Sequence, residues 1–160
     1  MRMLATVSTI SMLGMGLVGC SSGMGRYNIR VTPSDDLRAK GEAVSLKMDL
    51  VAVGDDKKAE YESMPIDEYL SRPRGRAYSM VFAGKDMKEQ TLPRTDKIWA
   101  DWGKENARWL FMLVDFPPDA GAARRKMIPL RADRWDKDTI EVKLYPKSIE
   151  VLTPQRPESN

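Results

Sequence analysis

Seven residues, Val44-Ser-Leu-Lys-Met-Asp-Leu50, alternate apolar and polar without a break, which puts Val44, Leu46, Met48 and Leu50 on one face of an extended chain. Successive side chains of a strand point to opposite faces, so a period of two marks a strand with one face on a core and one in water. The same period recurs in Tyr27-Asn-Ile-Arg-Val31, in Thr139-Ile-Glu-Val-Lys-Leu144 and, after Tyr145-Pro-Lys147, in the shorter Ser148-Ile-Glu-Val-Leu152. One wet face predicts antiparallel pairing. Trp109-Leu-Phe-Met-Leu-Val114 is apolar on both faces and suits a central strand covered on each side. Further strands are predicted at 78–83, 88–92, 97–102 and 127–131, with turns at Gly54-Asp55-Asp56, Gly84-Lys85-Asp86, Gly103-Lys104 and Pro117-Pro118-Asp119. One stretch breaks the period. Ser63-Met-Pro-Ile-Asp-Glu-Tyr-Leu70 offers a capping serine, a proline in the first turn and acids at the positive end of the dipole, so a short helix is predicted, packed through Ile66, Tyr69 and Leu70. About eight strands with one short helical insertion, no internal repeat and no βαβ alternation define an all-β fold, a two-sheet β-sandwich.

The N-terminus is a different kind of segment. Met1-Arg2 carries a positive charge, and Met3 to Val18 follows without a charged side chain, the pattern of a signal peptide over residues 1–19. The run is shorter than the roughly 20 residues a spanning helix needs. Within it, Gly14 to Gly19 matches G-x-G-x-x-G, but no strand precedes it and no βαβ unit surrounds it, so it is not a dinucleotide site. Leu17-Val18-Gly19-Cys20 looks like a bacterial lipobox, in which small residues admit a peptidase and the thiol accepts a diacylglyceryl group. Cys20 is therefore the expected lipid attachment point, and two or three acyl chains on it would make a durable tether to membrane lipid. Ser21 follows where an aspartate would resemble an inner-membrane retention signal, which favours the outer membrane. Cys20 is also the only cysteine, so no disulfide forms within the chain and the fold rests on its core.

Cleavage before Cys20 leaves 141 residues, the size of one domain, with a formal net charge of +2 once Arg2 is lost. That balance does not demand a polyanionic partner. Residues 20–26 read as the lipidated cysteine and a short tether, 27–152 as the sandwich domain, and 153–160, with two prolines and nothing apolar, as a disordered tail.

Chemistry has little to work with. There is no histidine, which removes the commonest general base near neutral pH, the usual triads and most zinc sites. The pairs Asp35-Asp36, Asp55-Asp56 and Asp67-Glu68 stand where acids are ordinary, in turns and helix starts. The scattered methionines read as core fillers, so no catalytic residue, cofactor or metal is expected. The basic clusters Arg72-Pro-Arg74-Gly-Arg76 and Arg124-Arg-Lys126 contain no aromatic platform, which argues against nucleic acid and leaves solvated loops or contact with anionic headgroups. The tryptophans Trp99, Trp102, Trp109 and Trp135 fit core packing, with a ligand groove as the alternative.

The order of these pieces resembles a known family. A lipidated cysteine, a first strand, a polar loop, a long alternating strand, the excursion "MPIDEYL", the apolar "WLFMLVDF", the basic "ARRKMIPL" and the closing pair "TIEVKLYPKSIEV" are similar to the outer-membrane lipoprotein of the bacterial type VI secretion system, the TssJ (SciN or VasD) family. The resemblance implies a transthyretin-like β-sandwich under the outer membrane that recruits the periplasmic domain of a large inner-membrane partner, TssM. It also implies that the loop between the first two strands carries the contact. Here that loop is Thr32-Pro-Ser-Asp-Asp-Leu-Arg-Ala-Lys-Gly-Glu-Ala43, whose Asp35, Asp36, Arg38, Lys40 and Glu42 surround a lone Leu37. Charged groups would orient the partner and Leu37 would be buried against it. The loop lacks the Asn-Pro and later proline common in the family, and its composition also fits a plain solvated connection. The alternative from another class is an envelope lipoprotein that binds a small ligand or glycan, with no role in secretion.

Overall fold

The computed structural model describes residues 23–39, 44–84 and 87–158. The signal segment, Cys20, Lys40, Glu42 and the Lys85-Asp86 turn lie outside them. In chain order the elements are β1 (Asn28–Pro33), α1 (Asp35–Ala39), β2 (Ser45–Val53), α2 (Asp55–Ser63), α3 (Ile66–Ser71), β3 (Ala77–Ala83), β4 (Gln90–Leu92), α4 (Ile98–Lys104), β5 (Trp109–Val114), β6 (Arg125–Pro129), β7 (Thr139–Leu144) and β8 (Ile149–Val151). The strands form two four-stranded sheets, in the orders β4-β1-β7-β8 and β3-β2-β5-β6. The β-sandwich predicted from the sequence is the architecture observed.

The main core lies between the sheets. Ile29 and Val31 of β1, Ile140, Val142 and Leu144 of β7, and Leu46, Met48 and Leu50 of β2 all point into it, each in the phase its alternation gives. β5 pairs with β2 and β6 and is buried on both faces, as its apolar run requires. One pairing departs from the expectation. β1 lies antiparallel to β4 but parallel to β7, with Ile29 opposite Ile140 and Val31 opposite Val142. Alternation specifies which face is wet, not which way the neighbour runs, and nearly the whole chain serves as the crossover.

Three further expectations are corrected. Residues 97–102 were expected as a strand, but Lys97 is the N-cap of α4 and 98–102 lie in it, with Trp99 and Trp102 both fully buried. Residues three apart face opposite sides of a strand but the same side of a helix, so only the helix buries both rings. The Gly54-Asp55-Asp56 turn is instead the start of the nine-residue α2, whose sole buried residue is Tyr61. Ser63, expected to cap the following helix, ends α2 and donates its hydroxyl to Ala59 O at 2.9 Å, while Pro65 stands at the N-cap of α3.

Together α2 and α3 roof the outer face of the β2/β5 sheet, enclosing a second cluster of Val51, Val53, Tyr61, Met64, Tyr69, Phe111 and Leu113. This roof is why β2 is buried on both faces over its second half instead of half-wet. Under it lies Asp49, 1 % exposed, which accepts hydrogen bonds from Tyr69 Oη at 3.2 Å and Ser79 Oγ at 2.5 Å and pairs with Lys47 Nζ at 3.1 Å. A buried carboxylate without such partners costs several kcal/mol, so the network fixes the roof to the sheet. Gly75 makes the return to β3 possible. Its φ is +76°, and a Cβ there would sit 2.8 Å from the Tyr61 hydroxyl, which donates to Arg74 O at 2.9 Å.

Four arginines of the basic clusters are spent inside this arrangement. Arg74 pairs with Glu60 and Glu68, Arg76 with Asp101 and Glu105, and the buried Arg124 with Asp67 at 2.7 Å. Arg125 donates to the carbonyls of Glu62 and Met64, which clamps the end of α2 to β6. The tryptophans form no groove. Trp99 and Trp135 pack edge-on against Tyr27 and Trp102 edge-on against Trp99, and their indole N–H groups donate to Pro93 O, Arg76 O and Pro129 O. Residues 153–158, expected to be disordered, fold back instead. Thr153 is buried, Gln155 bridges Trp135 and Arg156 N donates to Arg134 O, since backbone pairing needs no apolar side chain.

Candidate functional site

The strand directions divide the sandwich into two poles. At one, the chain enters: Gly23 O accepts from Ala132 N at 3.3 Å, Met24 bridges Arg131, Gly25 N donates to Leu130 O at 2.7 Å, and the Tyr27 hydroxyl donates to Arg131 O at 3.2 Å. A small pocket of about 140 Å³ opens there beside Gly103, Asn106 and Arg108. β1 then carries the chain away for six residues, about 20 Å at roughly 3.3 Å per residue, to the opposite pole. That pole holds α1, the start of β2, the end of β5 and the β7–β8 turn.

The 32–43 segment is therefore not simply a loop. Thr32 and Pro33 extend β1, and Ser34 is the N-cap of α1, with Oγ accepting from Leu37 N at 3.2 Å and O accepting from Arg38 N at 3.0 Å. Asp35 and Asp36 occupy the first turn, where the dipole favours negative charge, and Arg38 the last, 3.6 Å from Asp35. Leu37 is corrected: it is fully buried in this chain's own core and is not offered to a partner. A five-residue helix cannot hold itself, and this apolar peg supplies the tertiary contact that does. What the segment leaves outside is charge. The Asp35 side chain is 94 % exposed, Asp36 and Ala39 are exposed, and Arg38 is partly so.

Beside α1 runs a groove of about 350 Å³ that the sequence alone did not indicate, lined by Leu37, Val44, Leu46, Phe116, Pro117, Pro118 and Pro146, with Asp115 and Lys147 at its rim. Asp115 Oδ1 accepts from Lys47 N at 2.6 Å and so closes the β2/β5 ladder. Lys147 is paired to Asp119. Next to the groove the Tyr145 hydroxyl donates to Glu150 at 3.0 Å, and that bond, with the negative charges of Glu150 and Asp36, raises its pKa. The signals for this surface were Pro117-Pro118 and Tyr145-Pro146-Lys147, each legible as a turn; their meeting with α1 is a product of topology.

Among the described residues no group of three or more acidic or cysteine side chains could hold a metal ion. The acid pairs occupy the first turns of α1, α2 and α3. No helix of the described residues is long and apolar enough to cross a membrane.

Fold and site define a two-sheet β-sandwich with a helical roof on one sheet and a charged helical pole opposite the chain's entry. No family model and no curated protein matches the chain. Solved structures do. Serratia marcescens Lip, a membrane bound component of the type VI secretion system, matches at a TM-score of 0.54 with 13 % identity, over 81 % of this chain and 98 % of that one. A chain in the structure of the T6SS protein TssM C-terminal domain from EAEC matches at 0.53 with 9 % identity, over 79 % and 96 %. The T6SS lipoprotein TssJ1 from Pseudomonas aeruginosa gives 0.49 with 14 % identity, over 85 % and 99 %. The fold is thus that of Lip, at a sequence identity that speaks for fold alone.

Proposed function

We propose that this chain is a lipoprotein subunit of a type VI secretion membrane complex, acylated at Cys20 and held on the periplasmic face of the outer membrane. It recruits the periplasmic domain of a TssM-like inner-membrane protein through the α1 pole and does no catalysis. The observation that carries this reading is the fold shared with Lip over nearly all of that chain, in a sequence that opens with a lipobox. Asp35, Asp36 and Arg38 on α1, with Lys40 and Glu42 beyond it, orient the partner by charge, and the groove beside α1 supplies apolar area next to them. Leu37 acts by fixing α1 in place, not by contact. Confinement at the membrane raises the effective concentration of the pole toward its partner, so modest interfaces suffice.

The test is capture from a detergent-solubilised envelope. The wild-type protein recovers a large inner-membrane protein, and Asp35→Lys with Asp36→Lys recovers much less while remaining folded. Capture at the wild-type level by that variant removes α1 from the interface, and recovery of nothing specific by the wild type favours a ligand-binding lipoprotein.

A further inference from the structure

Resting on the acylation of Cys20 proposed above, a second inference concerns how the domain sits on its membrane. We infer that it stands on the bilayer by its entry pole, the surface around Gly23 formed by residues 103–108, the end of α4 and the turn after it, and residues 131–137, with lipid headgroups as the occupant and α1 pointing into the aqueous phase.

The length of the free tether carries this. Residues 20–26 read as a linker from the sequence, which would let Tyr27 stray about 25 Å from the lipid at roughly 3.4 Å per residue and leave the domain free to tumble. The fold takes most of that linker away. Gly23, Met24 and Gly25 already pair with Ala132, Arg131 and Leu130, so only Ser21 and Ser22 separate Cys20 from fixed backbone. Three residue steps span at most about 11 Å fully extended. Gly23 must therefore lie within about that distance of the acylated residue, and the surface around it meets the headgroups before either sheet face can.

The chemistry of the pole agrees. Its exposed side chains include Arg26, Lys104, Asn106, Arg108 and Lys137, beside the acids Glu105 and Asp136, which pair with Arg76 and Arg156 of this chain. Lys104 and Arg108 are 78 % and 48 % exposed, and each makes one long ion pair within the chain, at 3.4 Å to Asp101 and 3.5 Å to Asp55, which leaves donors for lipid phosphate. The large hydrophobics exposed among the described residues are Val81 and Leu152. Val81 lies opposite Lys47 along β3, and Leu152 N bonds Glu141 O beside β7, so both sit on strand flanks and the pole meets headgroups through polar side chains.

The test uses the chain from Cys20 onward, which contains every described residue, made without acylation and coupled through its one thiol to maleimide lipid in phosphatidylethanolamine and phosphatidylglycerol vesicles. The tether length is then set whether or not the cell acylates Cys20. Brief lysine acetylation read by mass spectrometry, compared with the uncoupled protein, should be several-fold slower at Lys104 and Lys137 and unchanged at Lys88 and Lys147. Equal rates at all four lysines, or slowing at Lys88 and Lys147, overturns the orientation. An unmodified Cys20 in the native protein would instead count against the parent reading.

Discussion

Leu37 distinguishes a pegged helix from a solvated loop, and replacing it with alanine measures the difference. The side chain is fully buried in the main core and is the buried residue of α1. Truncating a buried leucine to alanine costs about 2–5 kcal/mol, the spread reflecting how well the site relaxes. Here the new space opens toward the groove of about 350 Å³, so water and the rims beside Val44 and Phe116 fill part of it, and about 3 kcal/mol is expected. With a urea m-value of about 2 kcal/mol/M for a domain of this size, the unfolding midpoint falls by about 1.5 M at unchanged slope. The same substitution on an exposed loop changes stability by less than about 0.5 kcal/mol. A midpoint within about 0.2 M of wild type would place Leu37 in solvent, return it to the list of partner contacts and refute the helix as the element that positions Asp35 and Asp36.

Removing the Tyr69 hydroxyl by Tyr69→Phe takes one donor from Asp49 while Ser79 and Lys47 remain; about 1–3 kcal/mol of stability should be lost in the same urea assay, and no loss would mean that the buried network does not hold the roof. Burial, aided by Asp133 and Asp138, pushes the Tyr27 phenol up to about 12, and burial raises Tyr61 too. The folded state thus favours the neutral phenols, so their stabilisation is complete below the ordinary tyrosine pKa of about 10 and fades as pH rises through the folded values. Tyrosinate absorbance should therefore lag behind that of the unfolded chain, and coincident titration would contradict the packing. The bond from Arg124 holds the Asp67 carboxyl below its ordinary range, which makes that pair stabilising above the usual carboxylate pKa and lost as pH falls through the lowered one. In Arg124→Ala the Asp67 carboxyl, followed by NMR, should return upward, and an unchanged titration would show that the pair is absent in solution.

How much of this was legible depended on whether a signal is local. The bounds of β5 and β7 follow from their patterns because one-face and two-face burial write different sequences. Trp99 and Trp102 carried a helical spacing that was present in the letters and outweighed by their aromatic, strand-like character. α2 wrote almost nothing, since a polar helix that buries only Tyr61 resembles a loop. The same holds at the α1 pole. Ser34-Asp35-Asp36 is a capping sequence that announces α1, yet nothing local says whether Leu37 faces inward. The groove joins residues near 37, 45, 116 and 146, and only the parallel β1–β7 pairing together with the β2–β5 pairing brings them to one end.

The account turns on a lipid fixed to the residue that begins the folded chain's short lead. Intact-mass and peptide mass spectrometry of the protein extracted from its native envelope tests this most directly. The predicted result is a mature chain that starts at Cys20 and carries a thioether-linked diacylglyceryl group. A chain that starts elsewhere, or a free thiol at Cys20, would contradict it.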